Sequence, residues 1–375
     1  TEIYTLSLHD ALPICGSGTA DDPFIIESFE ITIDSFDHGI DISDTDLYLI
    51  IRLCTIEDGT SYGKYGIYLS NCSNVNISNN DFNSNYDGIR MISSANNIIE
   101  KNHIAYSFQN GIIIDSCNLT LIRENTCEEN VDGIYIYQSL ESVVIFNTCR
   151  YNDNRGIYLY KSNNGTIWKN TCSSNVYAGM IQRNSLFNWI ILTPMQRNQF
   201  VGYDSNACNE TFFANNICSN NFHYGIYLHE SNENMIISNN CSNNGEYGVY
   251  LSSNSNNNHI WANNLFANTN NQSYCEGSIQ NSWNYTNIGN YYGDYLTQNP
   301  GASNDGFRWN SPYNINGTVS DEDLYSLVNQ ATIDLDNDGL FNYFEEYYGT
   351  NATNNDTDYD EMPDGWEIAN DLDPF

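Results

Sequence analysis

The sequence predicts an all-β protein wound as a parallel β-helix, a solenoid of coils 22–24 residues long. Three observations point there. A glycine followed by alternating apolar residues recurs at Gly66, Gly88, Gly111, Gly133, Gly156, Gly179, Gly202, Gly225 and Gly248, at steps of 22 or 23 residues. Every unit carries a second short apolar run, as in "VNISNN" (75–80), "LTLIREN" (119–125) and "TIWKN" (166–170). Asparagine returns at the same step, at Asn80, Asn102, Asn125, Asn147, Asn170, Asn215, Asn239 and Asn263. Units this short cannot close a core alone and must stack on their neighbours.

The apolar runs alternate in and out, the period of a half-buried strand, and no 3.6-residue period appears. Stacking sets like residues roughly 4.8 Å apart, so about ten coils make a rod of roughly 50 Å. A column of asparagines then has a purpose. Each amide both donates and accepts, so stacked amides can bond along the axis. Asparagine also tolerates the left-handed backbone that sharp corners require.

Two residues beyond lies an apolar column: Phe82, Ile104, Cys127, Cys149, Cys172, Met195, Cys218, Cys241 and Leu265. Its sulfurs suit copper(I). Its shared Phe, Ile and Leu members make it an inward, packing column, since buried cysteine behaves as a small hydrophobe. Most of the eleven cysteines are therefore expected as free thiols. Cys15, Cys54, Cys72, Cys117, Cys208 and Cys275 lie outside the column, and a disulfide among them stays open.

The chain has 375 residues and a net charge of −35, which argues against nucleic-acid or anionic-membrane partners and for cations or neutral ligands. No apolar run reaches the roughly 18–20 residues of a membrane span. Residues 1–14 include "YTLSLHDALPI", which resembles a translated sequencing-library adapter and is set aside. Residues 15–327 form the expected solenoid with its caps, and 328–375 a separate acidic module. From Asp334 onward there are thirteen acidic residues and no Lys or Arg.

The tail motif is the sharpest. "DLDNDGLFNYFE" (334–345) sets Asp334, Asp336 and Asp338 at positions 1, 3 and 5, Gly339 at 6, the Leu340 carbonyl at 7, Asn342 at 9 and Glu345 at 12. This is the spacing of a calcium loop, which needs six to eight oxygens. Twenty-two residues on, Asp356, Asp358, Asp360, Asp364 and Glu367 repeat it, with Glu361 where the turn glycine belongs. Calcium is the expected cofactor.

Outward residues follow each glycine: Tyr68, Arg90, Ile113, Tyr135, Tyr158, Ile181, Asp204, Tyr227 and Tyr250. Tyr68, Tyr135, Tyr158, Tyr227 and Tyr250 can stack on sugar rings and bond sugar hydroxyls, or simply pack as a cross-strand ladder. Acids on neighbouring coils offer a catalytic alternative: Glu128, Glu129, Asp132 and Asp153, flanked by Arg150 and Arg155. Two carboxylates about 5–9 Å apart serve glycoside hydrolysis; a solvated, ion-paired face is the bland reading. Glu100 and Arg123 on adjacent coils are expected to pair. The stretch "SLFNWIILTPMQRNQF" (185–200) breaks the pattern, and Trp189 in it marks either an exposed binding loop or a degenerate coil.

The repeats at 66–264 resemble right-handed parallel β-helix proteins of the NosD-like group and the sugar-acting pectin-lyase-like β-helices. "GSGTADDPFIIESFEI" (16–31) resembles their entry segment, and "GNYYGDY" (289–295) with "SPYNINGTVSDEDLYSL" (311–327) their closing one. That resemblance implies a right-handed coil. It also implies copper delivery for the namesake, and lyase, hydrolase or inert surface roles for the wider fold. "DTDYDEMPDGWEIANDLDP" (356–374) resembles bacterial and archaeal thrombospondin type 3 repeats, which implies a calcium-stiffened extracellular spacer within a longer protein. The combined expectation is a secreted or cell-surface, non-catalytic β-helix that binds polysaccharide or a cell-surface glycan. The alternatives are a polysaccharide lyase or hydrolase, and a copper accessory protein.

Overall fold

The structure, a computed structural model, describes residues 16–33, 38–285, 287–331, 336, 338, 345, 348–351, 353–359, 362–369 and 373–375. The chain winds as a right-handed parallel β-solenoid. A coil crosses three sheets in turn. Sheet B holds eleven short strands, from Phe24–Glu27 to His259–Trp261. Sheet C holds eight, from Glu30–Thr32 to Met195–Gln196, and three further strands ending at Tyr291–Tyr292 continue its side of the rod. Sheet A holds twelve, mostly six residues long, from Ile40–Thr45 to Asn316–Gly317.

Registers are in step throughout. Ile104 pairs with Cys127, Cys127 with Cys149, Cys149 with Cys172 and Cys172 with Met195. All are fully buried, as are Cys218, Cys241 and Leu265 above them. The sulfur file is therefore lumen packing. All ten described cysteines are free thiols; Cys15 lies outside the described residues.

The glycine column has a steric cause. A Cβ on Gly133 would lie 2.5 Å from the Gly156 carbonyl oxygen and 3.0 Å from the Cys149 Cβ. The same clash recurs up the column, so only glycine lets successive coils close at this corner.

The asparagine column forms as read, with one correction. Asn102, Asn125, Asn147 and Asn170 are linked by amide bonds of 2.9–3.0 Å. Above them Thr193 takes one rung, and Asn216, not Asn215, bonds onward to Asn239 at 3.1 Å. Asn215 is the corner residue before it, at φ 55°. That neighbour also corrects the account of asparagine's role. The left-handed residue is the one preceding the ladder: Lys101, Glu124, Phe146, Lys169 and Leu192, all at φ 51–58°. Corners of two residues force this conformation on whatever residue arrives there. The ladder asparagine instead supplies the missing hydrogen bonds. Asn147 Oδ1 accepts from both the Asn125 backbone N–H and its side-chain amide, each at 2.9 Å, while Asn147 Nδ2 donates to the Ile122 carbonyl.

Two further asparagine ladders occupy the other corners. One runs Asn152, Asn175, Asn198, Asn221, Asn244, Asn268; the other joins Asn234, Asn258 and Asn281. Beside them a mixed file of Cys72, Ser94, Cys117, Ser139, Ser162, Ser185, Cys208 and Ser231 does similar work with smaller groups.

The upper end is closed by the segment from Trp283 to Asp323. Tyr292 and Tyr313 stack at 3.6 Å beneath Tyr295, and Trp283 is 1% exposed. The first ladder ends on Asn290, whose backbone N–H donates to Asp323 Oδ2 at 2.6 Å. Burial pushes the Asp323 carboxyl up to about 7, against the hydrogen bonds from Asn290 and Tyr325 that favour its charge. Beyond it, Ala331 still donates its N–H to Asn264 Oδ1. Described helix is confined to short turns such as Tyr295–Gln298 and Asp364–Ala369. None is long and apolar enough to cross a membrane.

Two outcomes are expected. Asn147→Ala strips the acceptor from two buried Asn125 donors and should cost about 2–4 kcal/mol, read by denaturant or thermal unfolding. Asp323 holds its proton more tightly folded than unfolded, so its contribution to stability is present at low pH and lost as pH rises toward 7. Asp323→Asn should flatten the fall in melting temperature across that window; an unchanged slope would refute the assignment.

Candidate functional site

Sheet A presents three outward columns. The central one is the column read from the glycines, and Tyr274 extends it above Tyr250. Tyr135 stacks on Tyr158 at 4.7 Å and Tyr227 on Tyr250 at 5.1 Å. Tyr68 packs against Tyr65 and His38. Sequence reasoning missed the flanking columns. Tyr224 and Tyr247, the residues just before Gly225 and Gly248, stack on each other at 5.8 Å, and Tyr247 on Tyr274 at 4.9 Å. Tyr137 and Tyr160, two residues past the central column, stack at 5.5 Å. The step that found the glycines also finds these.

Between the two tyrosine groups the face is dry. Ala178, Ile181 and Val201 point outward yet are buried, covered by Tyr158, Tyr177, Phe200, Tyr224 and Tyr227. Three arginine–aspartate pairs sit on the same face. Asp204, 1% exposed, accepts from both terminal nitrogens of Arg183. Asp132 accepts from Arg155 Nε and Nη2 at 2.8 Å each, and Asp87 pairs with Arg90 at 3.1 Å. The Arg155 guanidinium also lies 3.8 Å over the Tyr158 ring. Burial raises the Asp132 carboxyl above its ordinary value although Arg155 pulls it down. Desolvation likewise raises the Tyr135 and Tyr158 phenols, which stay neutral donors.

The candidate catalytic acids are divided between two sheets and the corner that joins them. Glu128 lies on the outer face of sheet C, where Arg150 Nε donates to it at 2.7 Å and His103 bridges it to Asp81. Burial pushes its carboxyl up, but the hydrogen bonds from His103 and Arg150 win and hold it low. Glu129 is an exposed corner at φ 56°, and Asp153 is exposed. Asp132 belongs to sheet A, around that corner. Residues 128–132 are close in sequence but face different ways. Glu100 and Arg123 pair as expected, Nε to carboxylate at 2.7 Å.

In the tail, carboxylate oxygens of Asp336, Asp338 and Glu345 lie within 4.8 Å of one another. Glu345, Asp364 and Glu367 are essentially buried. Asp338 Oδ2 accepts from the Gly365 N–H at 2.9 Å, tying the first loop to the second. Asp364 accepts from the Thr357 backbone N–H at 2.7 Å and from its hydroxyl at 2.6 Å, and Asp356 accepts from the Tyr359 N–H at 2.6 Å. Asp358 is exposed. Asp334, Gly339, Leu340, Asn342, Asp360 and Glu361 lie outside the described residues.

Residues 38–193 match a family model described as right handed beta helix region, and residues 195–297 one described as periplasmic copper-binding protein (NosD). No curated protein matches significantly. Solved structures share the fold. The A-module of the mannuronan C-5 epimerase AlgE6 of Azotobacter vinelandii has a TM-score of 0.54 at 11% identity, covering 68% of this chain and 80% of that one. The AlgE4 A-module of the same organism has 0.54 at 13%, covering 72% and 79%. The Dettilon tailspike protein gp208 has 0.60 at 15%, covering 71% and 61%.

Copper does not suit the donors present. The Cys127–Cys149–Cys172 file is wholly buried, and the neighbouring thiols, with burial added, hold Cys149 and Cys172 far above the ordinary thiol range. The file is linear, and the one convergent group of three donors among the described residues is all oxygen, suited to a hard cation. The coil architecture and the two family matches together support a NosD-like right-handed parallel β-helix.

Proposed function

We propose that this protein is an extracytoplasmic, non-catalytic polysaccharide-binding rod that receives a glycan along the tyrosine face of sheet A. The interlocked rings of Tyr224, Tyr227, Tyr247, Tyr250 and Tyr274 carry the reading. Flat, half-exposed phenols stacked about 5 Å apart suit sugar faces, and neutral hydroxyls suit sugar hydroxyls. Three acids on this face, Asp87, Asp132 and Asp204, are each buried against an arginine, which favours a binding role over acid–base work. The fold is also that of a mannuronan epimerase module, so a long glycan fits such a face.

The tail is proposed as a calcium module. The loop spacing at 334–345 and the clustered oxygens of Asp336, Asp338 and Glu345 support it, and the Asp338–Gly365 bond would let one ion order both loops.

On a glycan array, the wild-type chain should bind at least one polysaccharide, and Tyr227→Ala with Tyr250→Ala should lose tenfold or more in affinity while the chain stays folded, its melting temperature lowered by the lost cover over Ile181 and Val201. Release of reducing ends or unsaturated uronates would overturn the non-catalytic reading. Calcium at about a hundred times its Kd should stabilise the tail by about 2.7 kcal/mol. Asp336→Ala should abolish that rise in melting temperature; a rise that survives would refute the loop.

A further inference from the structure

The stretch around Trp189 is neither a loop nor a broken coil. Trp189–Ile191 is a regular strand of sheet B, paired in register with Phe212–Ala214. Its outward side forms a groove of about 610 Å³. Two files of residues line it over four coils. One is Trp189, Phe212, Met235 and His259, joined by strand register. The other, two residues earlier on each coil, is Phe187, Glu210, Glu233 and Asn257. Trp189 is 55% exposed and its ring lies 5.0 Å from that of Phe212; Phe187 is 46% exposed.

The electrostatics set this groove apart from sheet A. Glu210 and Glu233 hold the same corner position on successive coils, at φ 54° and 58°, so their backbones are about 4.8 Å apart. Neither forms an ion pair among the described residues. Glu27, Glu100, Glu124 and Glu128 each meet an arginine or lysine, whereas among the described residues Glu129, Glu141 and Glu276 do not; what distinguishes Glu210 and Glu233 is that they stand on adjacent coils beside exposed rings. Two carboxylates side by side beside exposed aromatic faces repel each other until a cation joins them. A hard metal needs six to eight oxygens, and among the described residues no third carboxylate converges here. A bulky, weakly hydrated organic cation meets both demands: aromatic faces attract it through their quadrupoles and the carboxylates through charge.

We propose that the sheet B groove binds a quaternary ammonium group, with Trp189, Phe187 and Phe212 as its aromatic walls and Glu210 and Glu233 as its counter-charges. This site is separate from the glycan face and does not depend on it.

Calorimetric titration of the full chain tests it, with choline chloride as probe against sodium chloride of equal ionic strength. Choline should bind saturably and sodium chloride should not. Phosphocholine brings a phosphate toward the same carboxylates and should bind at least several-fold more weakly. Glu210→Gln with Glu233→Gln should weaken choline tenfold or more, as should Trp189→Leu, at unchanged melting temperature. Absence of saturable choline binding, glucose binding as tightly as choline, or full choline affinity in the doubly neutralised chain would each overturn the proposal.

Discussion

A solenoid corner of two residues leaves peptide groups that no strand can satisfy, and here those groups are buried. The fold depends on that constraint. Asn125, Asn147 and Asn170 answer it because one amide offers two donors and an acceptor within reach of the coils above and below. The left-handed residue before each of them is strained for any side chain with a Cβ. The ladder holds it there, since the same bonds fix the corner on both sides. Corner identity is thereby freed for other uses, and Phe187, Glu210 and Glu233 show the result: functional groups displayed at positions whose backbone is already set.

The coil was legible because it is periodic. Gly66 to Gly248 gave the step, and the step placed Tyr135 over Tyr158 and Cys127 over Cys149, as the registers show. The miss at Asn215 has a local cause. "ANN" at 214–216 offers two adjacent asparagines, and only the backbone says which is the corner and which the rung. The candidate catalytic acids are divided for a related reason. Glu128 and Asp132 are four residues apart, but a corner lies between them and turns them onto different sheets. The Trp189 groove was hidden because its partners are 21 and 44 residues away, at Glu210 and Glu233. Their meaning depends on which cations fail to reach them, and a sequence cannot show that.

The sulfur file illustrates how packing imitates chemistry. Its members share one lumen column with Phe82 and Ile104 at one end and Leu265 at the other, opposite the glycines whose missing Cβ leaves room for them. A thiol fits the width that remains at Gly133 and Gly156, where the Cys149 and Cys172 Cβ atoms already lie about 3.0 Å from where a glycine Cβ would stand. Larger residues share the file, Phe82, Ile104 and Leu265 at its ends and Met195 within it. Lumen shape, rather than metal affinity, accounts for the series.

The two outward aromatic faces then differ in one respect that geometry alone would not give. On sheet A three acids among the rings are buried against a guanidinium, Asp87 with Arg90, Asp132 with Arg155 and Asp204 with Arg183, while Glu276 meets the Tyr250 hydroxyl and Glu246 the His223 ring. The buried acids of this face are neutralised in place, which leaves its rings and hydroxyls as the groups the proposed glycan would meet. On sheet B the rings of Trp189 and Phe212 adjoin two carboxylates with no arginine or lysine across from them. In a chain with 47 acids and 12 basic side chains, cations are scarce enough that where they are placed is informative. Three of the eight arginines are committed to sheet A. Glu210 and Glu233 are exposed beside those rings, so their attraction for a cation adds to that of the aromatic faces. One winding rule therefore yields two faces of opposite ligand preference, set by which columns received the arginines.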